Sequence, residues 1–223
     1  MTKTLFIQAI SKFILGVVLV GVLVFVPAGT IDFWNGWLFM GVLFIPMFLA
    51  GIVMMIKNPE LLKKRLNAKE KQSEQGLLIK LSGLMFLIGF IIAGLNYRLE
   101  WHVLPASVSV GATVVFLTAY LLYAEVLREN TYLSRTIEIQ ENQKVIDTGL
   151  YGIVRHPMYT VTILLFLSMP LILGSIYSFL VFLAYPILIA QRSKYEEKLL
   201  EKKLEGYCEY QKKVKYRLVP FIW

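Results

Sequence analysis

Six runs of nearly uncharged residues, at about 5–26, 34–56, 77–97, 104–127, 158–173 and 176–190, govern what this chain can become. A helix rising 1.5 Å per residue needs about 20 apolar residues to cross roughly 30 Å of hydrocarbon. The first four runs reach that length. The last two are shorter, and only Gly174 and Ser175 separate them, so a tight helical hairpin is expected, either spanning or buried against the other helices. No cleavage site of the A-x-A kind follows the first run, which therefore reads as an anchored helix rather than a signal peptide. The fold class is all-α: a polytopic membrane helix bundle of five to six transmembrane helices.

Composition agrees, at 57% hydrophobic and 17% charged residues, against about 25% charged in soluble domains. A net charge of +8 invites a nucleic-acid reading, but placement removes it. Of the 23 Lys and Arg, two lie at the N-terminus, seven in 57–80, four in 128–155 and nine from Arg192 onward. Only Arg98 falls in the loops of the other side. The positive-inside rule then makes this a multi-pass integral membrane protein with both termini in the cytoplasm. The excess charge reports topology and an affinity for anionic membrane lipids; no nucleic-acid partner is expected. The single cysteine, Cys208, closes no intrachain disulfide, and without a nearby His in sequence it is a poor nucleophile.

Ionisable groups beside a membrane are costly and tend to mark function, and here they gather on the basic side. Asn58-Pro59-Glu60 opens an amphipathic basic stretch that suits a surface helix. Farther on, Gly149-Leu150-Tyr151-Gly152-Ile153-Val154-Arg155-His156-Pro157-Met158-Tyr159 sets a cation, an imidazole and two phenols at the entrance to the hairpin. Pro157 suits a first helical position and disfavours the helical conformation for His156. Arg155 and His156 thus precede a helix N-terminus, a setting that favours a carboxylate ligand or, more simply, an interfacial anchor.

Beyond the hairpin, Tyr195, Leu199 and Leu200 mark one face of an amphipathic helix over 191–204. Glu196 shares that apolar face and needs a partner or a hydroxyl-bearing ligand. Glu197 is expected on the outer face with Lys198 and Glu201. Tyr207, Tyr210 and Val214 recur at helical spacing and read as packing rather than as a base-stacking platform.

The order Gly149-x-Tyr151-x-x-x-Arg155-His156-Pro157-x-Tyr159, a short hydrophobic hairpin, Glu196-Glu197-x-x-Leu200, Gly206-x-x-x-Tyr210 and Val219-Pro220 resembles the isoprenylcysteine carboxyl methyltransferase family, including its bacterial relatives. Phospholipid N-methyltransferases belong to the same wider set. The likeness covers about the last 95 residues, with Arg128-Glu129-Asn130 in its lead-in. It implies a four-helix transmembrane region over 1–127 and a methyltransferase core over 128–223. It also implies S-adenosylmethionine as cofactor, bound on the cytoplasmic side, and a lipophilic acceptor entering from the bilayer. The cofactor residues it suggests are Gln143, Val145, Tyr151, Arg155, His156, Tyr159, Glu196 and Glu197. Arg155 or His156 would hold the methionyl carboxylate, and either glutamate the ribose hydroxyls or the amino group. Arg192, Glu196 and Arg135 are the suggested catalytic residues, with Arg192 orienting the acceptor and Arg128 and Arg135 behind it.

Methyl transfer to a carboxylate needs no metal and no general base, so position and a dry site supply most of the catalysis. An amine acceptor would need a base, for which His156 or a glutamate could serve. Two departures from the family bear on the acceptor: Val161 stands where relatives often carry Gly, and the run before the glutamates is less arginine-rich. Two other readings remain open. Membrane sterol reductases that use NADPH share an Arg-His-Pro-x-Tyr element, but Met158 and Thr160-Val161-Thr162 differ from their pattern. The other is a structural or lipid-binding protein without chemistry.

Overall fold

The computed structural model describes residues 3–66, 73–133 and 142–223. Among these, the chain forms α1 (Lys3–Ala28), α2 (Trp34–Lys57), α3 (Pro59–Leu66), α4 (Ser73–Arg98) and α5 (Ala106–Glu129). A 3-10 turn (Gly149–Gly152) leads into α6 (Pro157–Ile172), α7 (Ile176–Phe182), α8 (Ala184–Lys203) and α9 (Tyr207–Lys213). Five segments are long and apolar enough to cross a membrane: α1, α2, α4, α5 and the joined α7–α8, with α6 shorter. The chain is thus an integral membrane helix bundle. Ile14, Leu15, Leu121 and Ile187 are among many large apolar side chains that face outward, as helices solvated by lipid require.

Local chemistry explains the boundaries. Asn58 accepts the Leu61 amide with its side chain at 3.1 Å, capping α3, and Pro59 needs no partner for a missing N–H. Pro157 likewise takes the first helical position of α6, after His156, whose side chain makes no capping bond. The final apolar run is not one straight helix but breaks at Leu183, because Pro186 cannot donate to the carbonyl of Phe182. From Ala184 the helix then runs unbroken into the amphipathic stretch expected over 191–204.

Helix α4 lies between α1 and α7, and α6 lies along α5. The α1–α4 contact depends on Gly94, where a Cβ would sit 2.6 Å from the Val24 carbonyl oxygen. Phe86, Phe90, Phe166, Phe182 and Tyr185 interlock edge-on or tilted in the core, with centroids 4.6 to 5.9 Å apart between neighbouring rings. Buried Asn35 donates to the Ser109 hydroxyl at 2.9 Å and to the Ile172 carbonyl at 2.8 Å, joining α2, α5 and α6.

The bundle has two dissimilar ends. At one, the Leu104 amide bonds the Gly174 carbonyl at 2.9 Å, and Trp101 meets Tyr177 edge-on. The hairpin turn therefore lies level with the α4–α5 loop, so α6 traverses the bundle despite its 16 residues. At the other end are the 57–66 segment, the segment after α5 and the C-terminal tail. There Arg65 reaches Met158 and lies over the Tyr123 ring, and Lys12 donates to the Leu66 carbonyl at 2.6 Å. This end holds the cavity.

Candidate functional site

An open cavity lies between the ends of α5, α6 and α8, the 142–151 segment and α9. The 3-10 turn forms one wall. Its first residue, Gly149, has φ +52, and the Glu129 carboxylate occupies the space a Cβ would take, so only glycine fits. The same carboxylate accepts the Leu150 amide at 3.1 Å. Tyr151 follows, buried, its hydroxyl accepting from Asn130 at 3.0 Å and its carbonyl from the Tyr210 hydroxyl at 2.7 Å. Burial raises the pKa of Tyr151 and Tyr210 well above the ordinary phenol value, so both remain protonated donors.

A charged and hydroxylated group forms another part of the lining. Tyr159 donates to Glu196 Oε2 at 2.6 Å and accepts from Arg192 Nε at 3.1 Å. His156 stacks on the Tyr159 ring and lies between the two glutamates, with Nδ1 3.8 Å from Glu196 and Nε2 3.2 Å from Glu197. The two acids have different environments. Glu196, three residues before Leu199 on α8, lines the cavity beside it.

Glu197 is not on an outer face with Lys198. It is 2% exposed, bound to Arg155 Nε at 2.7 Å and to Arg217 Nε at 2.8 Å, besides His156. It lies outside the cavity lining. The helical pattern concealed this because its partners come from 20 residues or more away in sequence. Arg155 also donates from Nη1 to the carbonyls of Val214 and Lys215, at 2.8 and 2.7 Å. The Arg155 and His156 amides donate to the carbonyls of Tyr216 and Arg217, at 2.9 and 3.0 Å, and Thr160 to that of Leu218 at 2.6 Å. The C-terminal segment is thus a strap across the start of α6, with Glu197 as its ionic pin.

The cavity brings together Gln143, Val145, Tyr151, Arg155, His156, Tyr159, Arg192 and Glu196. Arg135 falls outside the described residues. Arg128 pairs with Glu125 on its own helix at 2.8 Å, is largely exposed and does not line the cavity. Sequence reasoning passed over the apolar wall: Leu200, Leu204, Tyr207 and Tyr210 line the cavity, and with Val145 and Val214 they form a cluster separate from the main core. The spacing of Tyr207, Tyr210 and Val214 announced this packing but not that it faces a cavity. The Tyr207 hydroxyl is buried and has no hydrogen-bond partner among the described residues.

Apolar helices long enough to cross a membrane, with a polar cavity at one end of the bundle, define an integral membrane protein. Residues 106–205, from α5 through α8, match the phospholipid methyltransferase family, so this part of the chain is similar to membrane methyltransferases. Such a family implies the general use of S-adenosylmethionine. No curated protein matches the chain.

Proposed function

We propose that this protein transfers a methyl group from S-adenosylmethionine to a lipophilic carboxylate, of the prenylcysteine or another lipidic kind, that reaches the cavity from the bilayer. The cavity suits the cofactor's chemistry: Glu196 offers a carboxylate to a cationic ligand or its hydroxyls, and the apolar wall of Val145, Leu200 and Leu204 offers a surface for a purine. When bound, the cofactor supplies an electrophilic methyl on a sulfonium. The acceptor's carboxylate oxygen takes that methyl as the carbon–sulfur bond breaks, its electron pair remaining on sulfur. No proton moves, and opposite charges are neutralised, so a site shielded from water does not oppose the step. The observation that carries the carboxylate reading is Arg192, a cation in the cavity lining beside Tyr159 and Glu196, able to orient an acid group.

The family match favours a second reading, methylation of a phospholipid amine, in which His156 or Glu196 would accept the proton that the amine releases. We place the cavity and both termini in the cytoplasm, since the basic loops share its end of the bundle. The test is methyl transfer from labelled S-adenosylmethionine by detergent-purified protein to farnesylated cysteine, a long-chain fatty acid and phosphatidylethanolamine. Labelled ester supports the first reading. Labelled headgroup alone replaces it with the second, and no transfer to any of them, together with no binding of the cofactor, removes both.

A further inference from the structure

Resting on the methyltransferase reading, we infer that Tyr207 binds the nucleoside portion of the cofactor, its hydroxyl making a hydrogen bond to the bound adenosine. A phenol that is 4% exposed and unpartnered among the described residues costs stability for which the fold returns nothing visible. The neighbouring Tyr210 shows the contrast, its hydroxyl fully engaged by the Tyr151 carbonyl at 2.7 Å. Tyr207 also lies in the part of the cavity that a purine would choose. The wall beside it is Val145, Leu200, Leu204 and Tyr210, an apolar surface. An apolar wall of this kind suits a flat, weakly polar base. Desolvation and the nearby Glu197 and Glu196 charges hold Tyr207 protonated, so it can donate.

Tyr207→Phe removes one oxygen and leaves the ring in place, so the experiment compares full-length wild type and Tyr207→Phe in detergent. Affinities for S-adenosylhomocysteine and for 5′-methylthioadenosine, which lacks the amino-acid end, are measured by calorimetry, and ligand-free thermal unfolding is followed in parallel. Loss of one hydrogen bond predicts about tenfold weaker binding of both ligands by the variant. Its ligand-free midpoint should equal or exceed that of wild type, because a buried unpaired group has gone. Unchanged affinity in the variant overturns the inference while leaving the methyltransferase reading intact. A lower ligand-free midpoint also overturns it, since the hydroxyl would then serve the fold. Weakening confined to S-adenosylhomocysteine moves the contact to the amino-acid end and overturns the nucleoside assignment. Absence of binding by wild type overturns the inference together with the reading on which it rests.

Discussion

Adjacent residues in one helix can have opposed duties, and Glu196 and Glu197 show how that is arranged. Glu197 is buried against Arg155, Arg217 and His156. Removing one member of such a cluster leaves uncompensated buried charge, so Glu197→Ala should cost about 3–5 kcal/mol. Chemical unfolding in detergent reads this as a shifted midpoint, and an unchanged midpoint would show that the cluster carries no structural weight. Glu196 accepts the Tyr159 hydroxyl at 2.6 Å and faces the cavity. Glu196→Gln should therefore leave the unfolding midpoint near that of wild type while weakening S-adenosylhomocysteine at least tenfold. Equal affinity in this variant would count against Glu196 as a ligand residue. The pair was legible as two acids on a helix, and the apolar neighbours of Glu196 marked its face. Glu197 was misplaced because helical periodicity knows nothing of Arg217, which reaches it only after the chain has reversed through α9.

Elements were far more readable than contacts. The apolar runs predicted the spans because a bilayer imposes one length on every crossing helix, and the proline before Glu60 and that after His156 marked true helix starts. The level of the hairpin turn depends on tertiary partners, Leu104 and Trp101 among them, and could not be read locally, whereas the break at Leu183 follows from Pro186, a signal the sequence carries. Two predictions belong at this scale. Gly94→Leu would drive a side chain into the α1 backbone, where even a Cβ comes within 2.6 Å of an oxygen. Backbone cannot yield as a side chain can, so the substitution should cost about 2 kcal/mol or more, read by unfolding in detergent. Deleting 215–223 removes the carbonyls that hold the Arg155 and His156 amides, and with them Arg217. Binding of S-adenosylhomocysteine should fall more than tenfold while the far-ultraviolet helical signal stays close to that of the full chain. A truncated protein that binds normally would show that the strap does not shape the site.

At the scale of the whole molecule, charge and geometry agree on a single polarity. The loops that meet Arg65, Cys208 and the C-terminal strap lie at the cavity end, and the opposite end is held by contacts among Asp32, Tyr97, Trp101 and Gly174. Since 22 of 23 basic residues lie in or beside the loops of the cavity end or in the two termini, translocation of that end across an energised membrane would be strongly disfavoured. Cys208 is exposed and is the only cysteine in the sequence, so it reports the side directly. In intact cells a membrane-impermeant maleimide should leave it unlabelled, and permeabilisation should make it react fully. Moving the thiol by combining Cys208→Ser with Asp32→Cys, an exposed position in the α1–α2 loop, should reverse the pattern. Labelling of Cys208 in intact cells would put the cavity outside. It would then face away from the compartment where S-adenosylmethionine is made, and the orientation proposed from the charge asymmetry would have to be abandoned.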